Sequence, residues 1–291
     1  MVIEEKWDRL KTLLKEMQLA VLAYSGGVDS SLLLRAASEA MGPHLIAVTA
    51  VSETYPAAEL LSAREFARTL GVTHKVLHTE ELASEDFVRN TPERCYHCKK
   101  ELFEKLTRIA ETEGISVVIE GSNTDDLRDY RPGRKAAKEY SVRSPLVEAD
   151  ISKAEVRELA RLLNLPVWNK PSLACLSSRI PYGTKITPEL LHSIEAAENH
   201  LRVLGFQQVR VRHHGEIARI EVTREDVAKL TSNDTMQAIV AAFKELGYTY
   251  VCLDLEGYRT GSMNEVFMER ADHVGVKQSR QHGCLGPKGV K

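Results

Sequence analysis

Leu19-Ala20-Val21-Leu22-Ala23-Tyr24, then Ser25-Gly26-Gly27-Val28-Asp29-Ser30-Ser31, then Leu32-Leu33-Leu34-Arg35-Ala36-Ala37 read as a strand, a glycine loop and a helix start in direct succession. Two glycines let the main chain come close to an oxyanion. The N–H groups of the helix's first turn and the hydroxyls of Ser25, Ser30 and Ser31 point donors at the same place. A phosphate suits such a cradle. A Walker A loop requires G-x4-G-K-S/T, and no lysine follows Gly27 until Lys75. A plain glycine–serine turn, the other reading, has no need of an aspartate and serines at these offsets.

Outward from this loop, from residue 17 to about 165, short apolar runs alternate with amphipathic helical patterns. The runs are Leu45-Ile46-Ala47-Val48, Lys75-Val76-Leu77 and Val117-Val118-Ile119, with helical patterns over 57–70 and 98–110. The alternation predicts an α/β fold, a parallel doubly wound sheet with helices on both faces. Ligands of such sheets bind outside the strands' carboxyl ends. The loop at Ser25 falls there, and later strand ends bring Glu53 and Gly121-Ser122-Asn123-Thr124-Asp125-Asp126 to the same rim. Ser152-Lys153-Ala154-Glu155 reads as a capping box opening a helix that runs to about Leu163.

The stretch 166–187, with three prolines and a glycine among serines, reads as a long ordered loop or interdomain connection. A different pattern follows: a helix over 188–204, strands over 208–213 and 217–223, a helix over 235–246 and a strand over 249–255. That makes a second, smaller α+β domain. The expected division is 1–165 for the domain with the phosphate loop, 166–187 for the long loop, 188–262 for the smaller domain and 263–291 for a flexible tail.

Composition sets bounds on the function. A chain of 291 residues, 43% hydrophobic and 27% charged, suits two globular domains. A net charge of −2 argues against a broadly basic surface and so against a nucleic-acid partner. No apolar run approaches the roughly 18 to 20 residues of a membrane span. Met1-Val2-Ile3-Glu4-Glu5-Lys6 lacks the apolar segment of a signal peptide, so the cytoplasm is the expected location.

Five cysteines, an odd number, argue against a disulfide framework and leave metal binding or catalysis as the informative uses. Cys95 and Cys98 form a C-x2-C pair in Arg94-Cys95-Tyr96-His97-Cys98-Lys99, at the start of a helix and beside cations. That placement predicts a lowered thiol pKa. The pair alone is half of a zinc site, so a zinc knuckle completed by His97 and a redox dithiol both stay open. Cys175 lies among prolines and hydroxyls with Lys170 and Arg179 flanking it to favour thiolate, the alternative being a small buried hydrophobe. Cys252, between Val251 and Leu253, reads as strand core, and Cys284 falls in the tail.

The loop Ser25-Gly26-Gly27-Val28-Asp29-Ser30 resembles the pyrophosphatase loop of the PP-loop ATPases, which cleave ATP between its α- and β-phosphates while adenylating a substrate oxygen. Further motifs narrow the resemblance. They are 121–126, the Ala174-Cys175-Leu176-x-Ser178-Arg179-x-Pro181-Tyr182-Gly183 run, Val209-Arg210-Val211-Arg212, Ala218-Arg219-Ile220-Glu221 and Leu255-Glu256-Gly257-Tyr258-Arg259. Together with the loop, and in one order, they resemble the LarE sulfur transferases, which help to make a nickel-pincer nucleotide cofactor. The resemblance implies ATP with Mg2+, and a dicarboxylated nicotinic-acid-type mononucleotide whose carboxylate is adenylated and converted to a thiocarboxylate. Cys175 matches the position that carries the sulfur. Two routes occur in the family: a sacrificial cysteine that loses its own sulfur, and a 4Fe–4S cluster held by three cysteines. Cys95 and Cys98 match the extra pair of the cluster type, which favours the second route.

The same resemblance ties Glu198 and Glu221 to metal binding near subunit contacts, with plain surface carboxylates as the alternative, and implies a homo-oligomer, rings of six being the form the family tends to. Arg210 and Arg212, two apart on a strand, face one side. With Arg259 they suit a fork-shaped clamp for the substrate's phosphate, unless the face is merely solvated. Ser178 and Arg179 are expected to position the substrate carboxylate. An amide ligase using ammonia and a tRNA thiolase share the ATP loop and remain rival readings.

Overall fold

The computed structural model describes residues 2–127, 132–171, 174–259 and 262; the tail expected over 263–291, with Cys284, lies outside them. The chain forms two compact units, Met1–Asn199 and His200–Lys291. Among the described residues no helix is long and apolar enough to cross a membrane.

The first unit runs α1 (Ile3–Met17), β1 (Ala20–Ala23), α2 (Val28–Met41), β2 (Leu45–Val51), α3 (Ala57–Thr69), β3 (Thr73–His78), α4 (Glu85–Val88), α5 (Arg94–Thr112), β4 (Val118–Glu120), α6 (Gly133–Glu139), α7 (Pro145–Glu148), α8 (Lys153–Leu162) and α9 (Pro188–Val203). Its four strands are all parallel, in the order β3-β2-β1-β4. Side chains alternate across the sheet as the strand period demands. Ala20 and Leu22 of β1, with Leu45, Ala47 and Ile119, join one core with residues of α1, α2, α3 and α8. Val21, Ile46, Val48 and Val118 join another with Phe103, Leu106 and Ala110 of α5 and Ala136 of α6. The doubly wound α/β expectation therefore holds.

The chain steps outward from β1 to β2 and β3 and returns to the far side of β1 for β4. Strand order thus reverses between β1 and β4, opening the crevice where ligands of such sheets bind. Gly27 precedes α2 directly after β1, and Gly121 follows β4, so both loops sit at this crevice.

A third core anchors the segment around Cys175. Leu176 and Ile180 pack with Phe87 of α4, Ile186, and Leu191 and Ile194 of α9, and half-buried Cys98 packs against them. Burying side chains such as Leu176 and Ile180 stabilises by roughly 1.5 to 3 kcal/mol each, enough to hold an irregular segment in place. The same packing explains why α9, expected to open the second domain at 188, belongs to the first unit as far as Asn199.

The second unit carries β5 (Val209–His214), β6 (Ile217–Val222), α10 (Val227–Leu230), α11 (Asn233–Glu245) and β7 (Tyr250–Leu253). β5 pairs antiparallel with β6, and β6 parallel with β7, giving a small mixed sheet in the order β5-β6-β7. Val209, Val211, Ala218, Ile220, Val222, Ile239 and Phe243 are buried. Cys252, expected in strand core, is exposed. β7 lies at the edge of the sheet, and its exposure alternates, with Tyr250 and Cys252 on the outer face.

Candidate active site

The nucleotide loop closes on itself through its serines. Ser25 Oγ and Ser30 Oγ lie 3.1 Å apart, the Ser25 N–H donates to Ser30 Oγ at 3.3 Å, and Ser30 Oγ donates to the Gly27 carbonyl at 3.2 Å. Ser31 Oγ stands 3.4 Å from the hydroxyl of buried Tyr24, whose pKa burial pushes up to about 12. Gly26 has φ +72°, a conformation that disfavours a side chain, and an added Cβ would stand 3.1 Å from Ala63 Cβ. Gly121 is needed for a different reason: its Cβ would meet Ser30 N at 2.9 Å and Ser30 Cα at 3.0 Å. The loop after β4 therefore lies directly on the first turn of α2.

Asp29 is gripped at this crossing. Asn123 Nδ2 donates to Asp29 Oδ1 at 3.0 Å, and the Lys153 ammonium pairs with Oδ2. Asp125 accepts from the Lys153 backbone N–H at 2.7 Å, at the start of α8. Lys170 pairs with Glu59 and donates to the Gly26 carbonyl at 3.3 Å, while Tyr55 donates to the Ser25 carbonyl at 3.1 Å. Ser25, Gly26, Gly27, Asp29, Ser30, Ser31, Gly121 and Asp125 thus form one continuous neighbourhood. Sequence reasoning brought Asn123 to this rim without giving it a role, read Lys170 only as a neighbour of Cys175, and missed Lys153. Lys153 sits inside the expected capping box, where its side chain's direction carries no sequence signal.

The Cys175 segment meets the same rim just past the end of β2, where the Leu176 N–H donates to the Thr54 carbonyl at 3.0 Å. Ser178 and Arg179 were expected to hold the substrate carboxylate, and Lys170 and Arg179 to favour a Cys175 thiolate. The geometry gives Arg179 another task. It is 2% exposed and binds Glu198, itself fully buried, through two bonds, Nε to Oε1 at 2.8 Å and Nη2 to Oε2 at 3.1 Å. Its Nη1 donates to the carbonyls of Ala174 and Cys175 at 2.8 and 3.1 Å and to Ser178 Oγ at 2.9 Å. Arg179 therefore sets the backbone around Cys175, with Glu198 as its counter-ion. Asn90, also missed, latches the other end: its Nδ2 donates to the carbonyls of Ile180, Pro181 and Thr184 at 3.2, 2.8 and 3.0 Å.

The C-x2-C pair lies in the first turns of α5, one turn apart and so on one face. The predicted lowering of their thiol pKa is overturned. Burial pushes the Cys98 thiol well up, with repulsion from Glu81 and from Cys175 adding to it. The Cys95 thiol is also raised, by desolvation and then by Cys175, against the lowering pull of Arg94 and Lys99. Cys95 is itself exposed and Cys98 half-buried, so the effect is stronger at Cys98. Desolvation outweighs the helix terminus and the cations. Cys98 packs against the core that holds Leu176, the residue after Cys175, which brings the C-x2-C helix and the Cys175 segment together. Among the described residues no three His, Cys, Asp or Glu side chains are arranged to hold a single metal ion.

In the second unit Arg210 and Arg212 lie on β5, both buried. Arg212 Nη2 donates to Glu221 Oε2 at 2.8 Å and to Ser262 Oγ at 3.1 Å, and Arg219 reaches Glu221 Oε1 at 3.1 Å. The Arg210 guanidinium lies over the Tyr258 ring, 5.3 Å from its centre. Arg259 pairs with Asp254 at 3.3 Å and Glu256 at 2.9 Å. The face is thus a network of cations tied to carboxylates rather than a solvated surface, and Glu221, expected as a metal ligand, is the buried hub that the cations share.

Residues 20–128 match the family described as asparagine synthase. Over 254 residues the chain is 40% identical to the pyridinium-3,5-bisthiocarboxylic acid mononucleotide synthase of Lactiplantibacillus plantarum, covering 87% of this chain and 91% of that one. It is 44% identical over 265 residues to an uncharacterized protein of Synechocystis, covering 91% and 99%, and 34% identical over 265 residues to one of Methanocaldococcus jannaschii, covering 89% and 100%. A Ser-Gly-Gly-x-Asp-Ser loop between β1 and α2, together with a likeness that spans nearly the whole of both chains, assigns this protein to the LarE family of ATP-dependent sulfurtransferases.

Proposed function

We propose that the protein adenylates a carboxylate of a pyridinium mononucleotide and replaces one of its oxygens with sulfur at Cys175. The observation that carries this reading is the shared rim. The phosphate cradle after β1 and the Cys175 segment just past β2 belong to one unit, and Cys98 of the C-x2-C pair packs against the core that holds Leu176 beside Cys175.

The chemistry needs both stations. A carboxylate is a poor electrophile because its leaving group would be oxide. Attack of its oxygen on the α-phosphorus of ATP expels pyrophosphate and converts that oxygen into part of a good leaving group. A sulfur nucleophile then adds to the acyl carbon and AMP departs, leaving a thiocarboxylate. Ser25, Ser30, Ser31 and the first-turn N–H groups of α2 hold the phosphates, while Asp29 and Asp125 are the carboxylates suited to the accompanying Mg2+. Arg210, Arg212 and Arg259 are the cations suited to the substrate's own phosphate. Cys95, Cys98 and Cys175 are the residues suited to a 4Fe–4S cluster, which when bound supplies an exchangeable sulfide on its fourth iron. Arg179, pinned by Glu198, keeps the Cys175 backbone in register with the rim.

The test is anaerobic incubation with Mg2+–ATP and the dicarboxylated mononucleotide, followed by mass analysis of both products. The wild type is expected to release pyrophosphate and AMP and to give the mass gain of an oxygen-to-sulfur exchange. Cys175→Ala is expected to keep pyrophosphate release and lose the sulfur product. An amide product in ammonium buffer, with no sulfur incorporated, would instead make this an amide ligase.

A further inference from the structure

Just past the end of β3 the chain turns through Thr79, Glu80 and Glu81, and Glu81 is the carboxylate that turns inward, only 6% exposed. Its Oε1 accepts from Thr79 Oγ1 at 3.1 Å and from the Cys98 thiol at 3.6 Å. Its Oε2 is buried and has no hydrogen-bond partner, and among the described residues Glu81 forms no ion pair. A buried polar atom left in this way costs about 1 to 3 kcal/mol, and more when charged. Such an atom in a native fold calls for a function, and the other oxygen of this carboxylate, Oε1, lies against the sulfur of Cys98, which packs on the core that holds Leu176 beside Cys175.

We propose that Glu81 is the fourth protein ligand of the iron–sulfur site, its Oε2 binding the iron that Cys95, Cys98 and Cys175 leave open until sulfide displaces it. The proposal rests on the reading that the three cysteines hold a four-iron cluster. Thiolates are the strong, soft ligands of such a cluster, and a carboxylate oxygen is a harder and more readily exchanged one. Thr79 fixes the carboxylate through Oε1, which leaves Oε2 as the donor atom, in the way that neighbouring groups orient metal ligands elsewhere. The exchange balances: hydrosulfide enters as one monoanion, the carboxylate leaves as another, and no electron is transferred. The device keeps the reactive iron covered between turnovers.

The full-length protein, labelled with 13C-glutamate, is reconstituted anaerobically with ferrous iron and sulfide, freed of excess sulfide, reduced, and measured by pulsed electron–nuclear double resonance. A 13C coupling to the cluster is expected, lost when sulfide is added back and lost in Glu81→Gln carrying the same iron per chain. A loaded wild type without that coupling, or a coupling that persists in Glu81→Gln, overturns the assignment of Glu81 and leaves the cluster standing. A wild type that takes up no iron overturns the cluster reading and this ligand with it. Should Glu81→Gln fail to fold or to load, the wild-type coupling and its response to sulfide decide the matter alone.

Discussion

A methyl group on Gly121 would meet main-chain atoms of Ser30, at 2.9 and 3.0 Å, and neither can rotate away. Gly121→Ala must therefore push the loop after β4 off the first turn of α2. Overpacking of this kind costs about 1 to 3 kcal/mol. A lower melting temperature and a several-fold higher KM for ATP are expected from thermal unfolding and pyrophosphate release; unchanged values in both would show that the two loops do not need their contact. The Arg179–Glu198 pair makes a second prediction. Removing one partner of a buried pair strands the other charge, at about 3 to 5 kcal/mol. Urea denaturation of Glu198→Leu should show a loss of that size, and Arg179→Met in the same chain should recover much of it. The sequence made Arg179 visible as a residue of interest because it follows Cys175 so closely. Its partner was legible only as a carboxylate, since nothing in a linear chain says that position 198 folds back onto position 179.

Elements with strong local signals were read nearly to the residue. Ser152 accepts from the Glu155 N–H while the Glu155 side chain reaches back to the Ser152 N–H, the reciprocal box its spacing implies, and α8 then runs to Leu162. Ser152→Ala should destabilise the first unit by roughly 1 kcal/mol, within the 0.5 to 2 kcal/mol of lost helix caps, as read from the shift of its denaturation midpoint. The helix of the C-x2-C pair was placed well at its far end, yet it begins at Arg94, before both cysteines. The thiol chemistry inferred from its terminus failed because burial is a tertiary property: α5 packs against the third core, and desolvation there exceeds what a helix end supplies. Cys252 failed for a related reason, since an apolar run does not reveal that its strand is an edge.

Among the described residues, two histidines withdrawn from water carry a pH dependence. Burial lowers the pKa of His74 in the first unit and of His213 in the second. The folded chain resists protonation at these rings, whereas the unfolded chain protonates near the ordinary value of about 6.5. Their contribution is therefore complete above about pH 6.5 and drains away as the pH falls from there through the folded-state values. Urea midpoints taken at about pH 7.5 and about pH 5.5 should fall with acid, and His74→Asn should shrink the fall in the first unit; equal midpoints would show these rings to be open to water. The parallel sheet, its cradle and its cysteine segment were all legible, because period and glycine spacing are local. The contacts that tie Asp29 to Lys153, Lys170 to Gly26 and Cys98 to Glu81 were not, because each joins residues far apart along the chain.

The strand order β3-β2-β1-β4 also fixes a length. Neighbouring strands stand about 4.8 Å apart, so the phosphate cradle at the tip of β1 and the Glu81 turn beyond β3 are separated along the rim by roughly two such steps, on the order of 10 Å. An acyl phosphate anhydride is easily lost to water. On the reaction proposed above, a span of that size would let the activated acid stay docked at the cradle while sulfur comes to it, and so would limit its exposure to water.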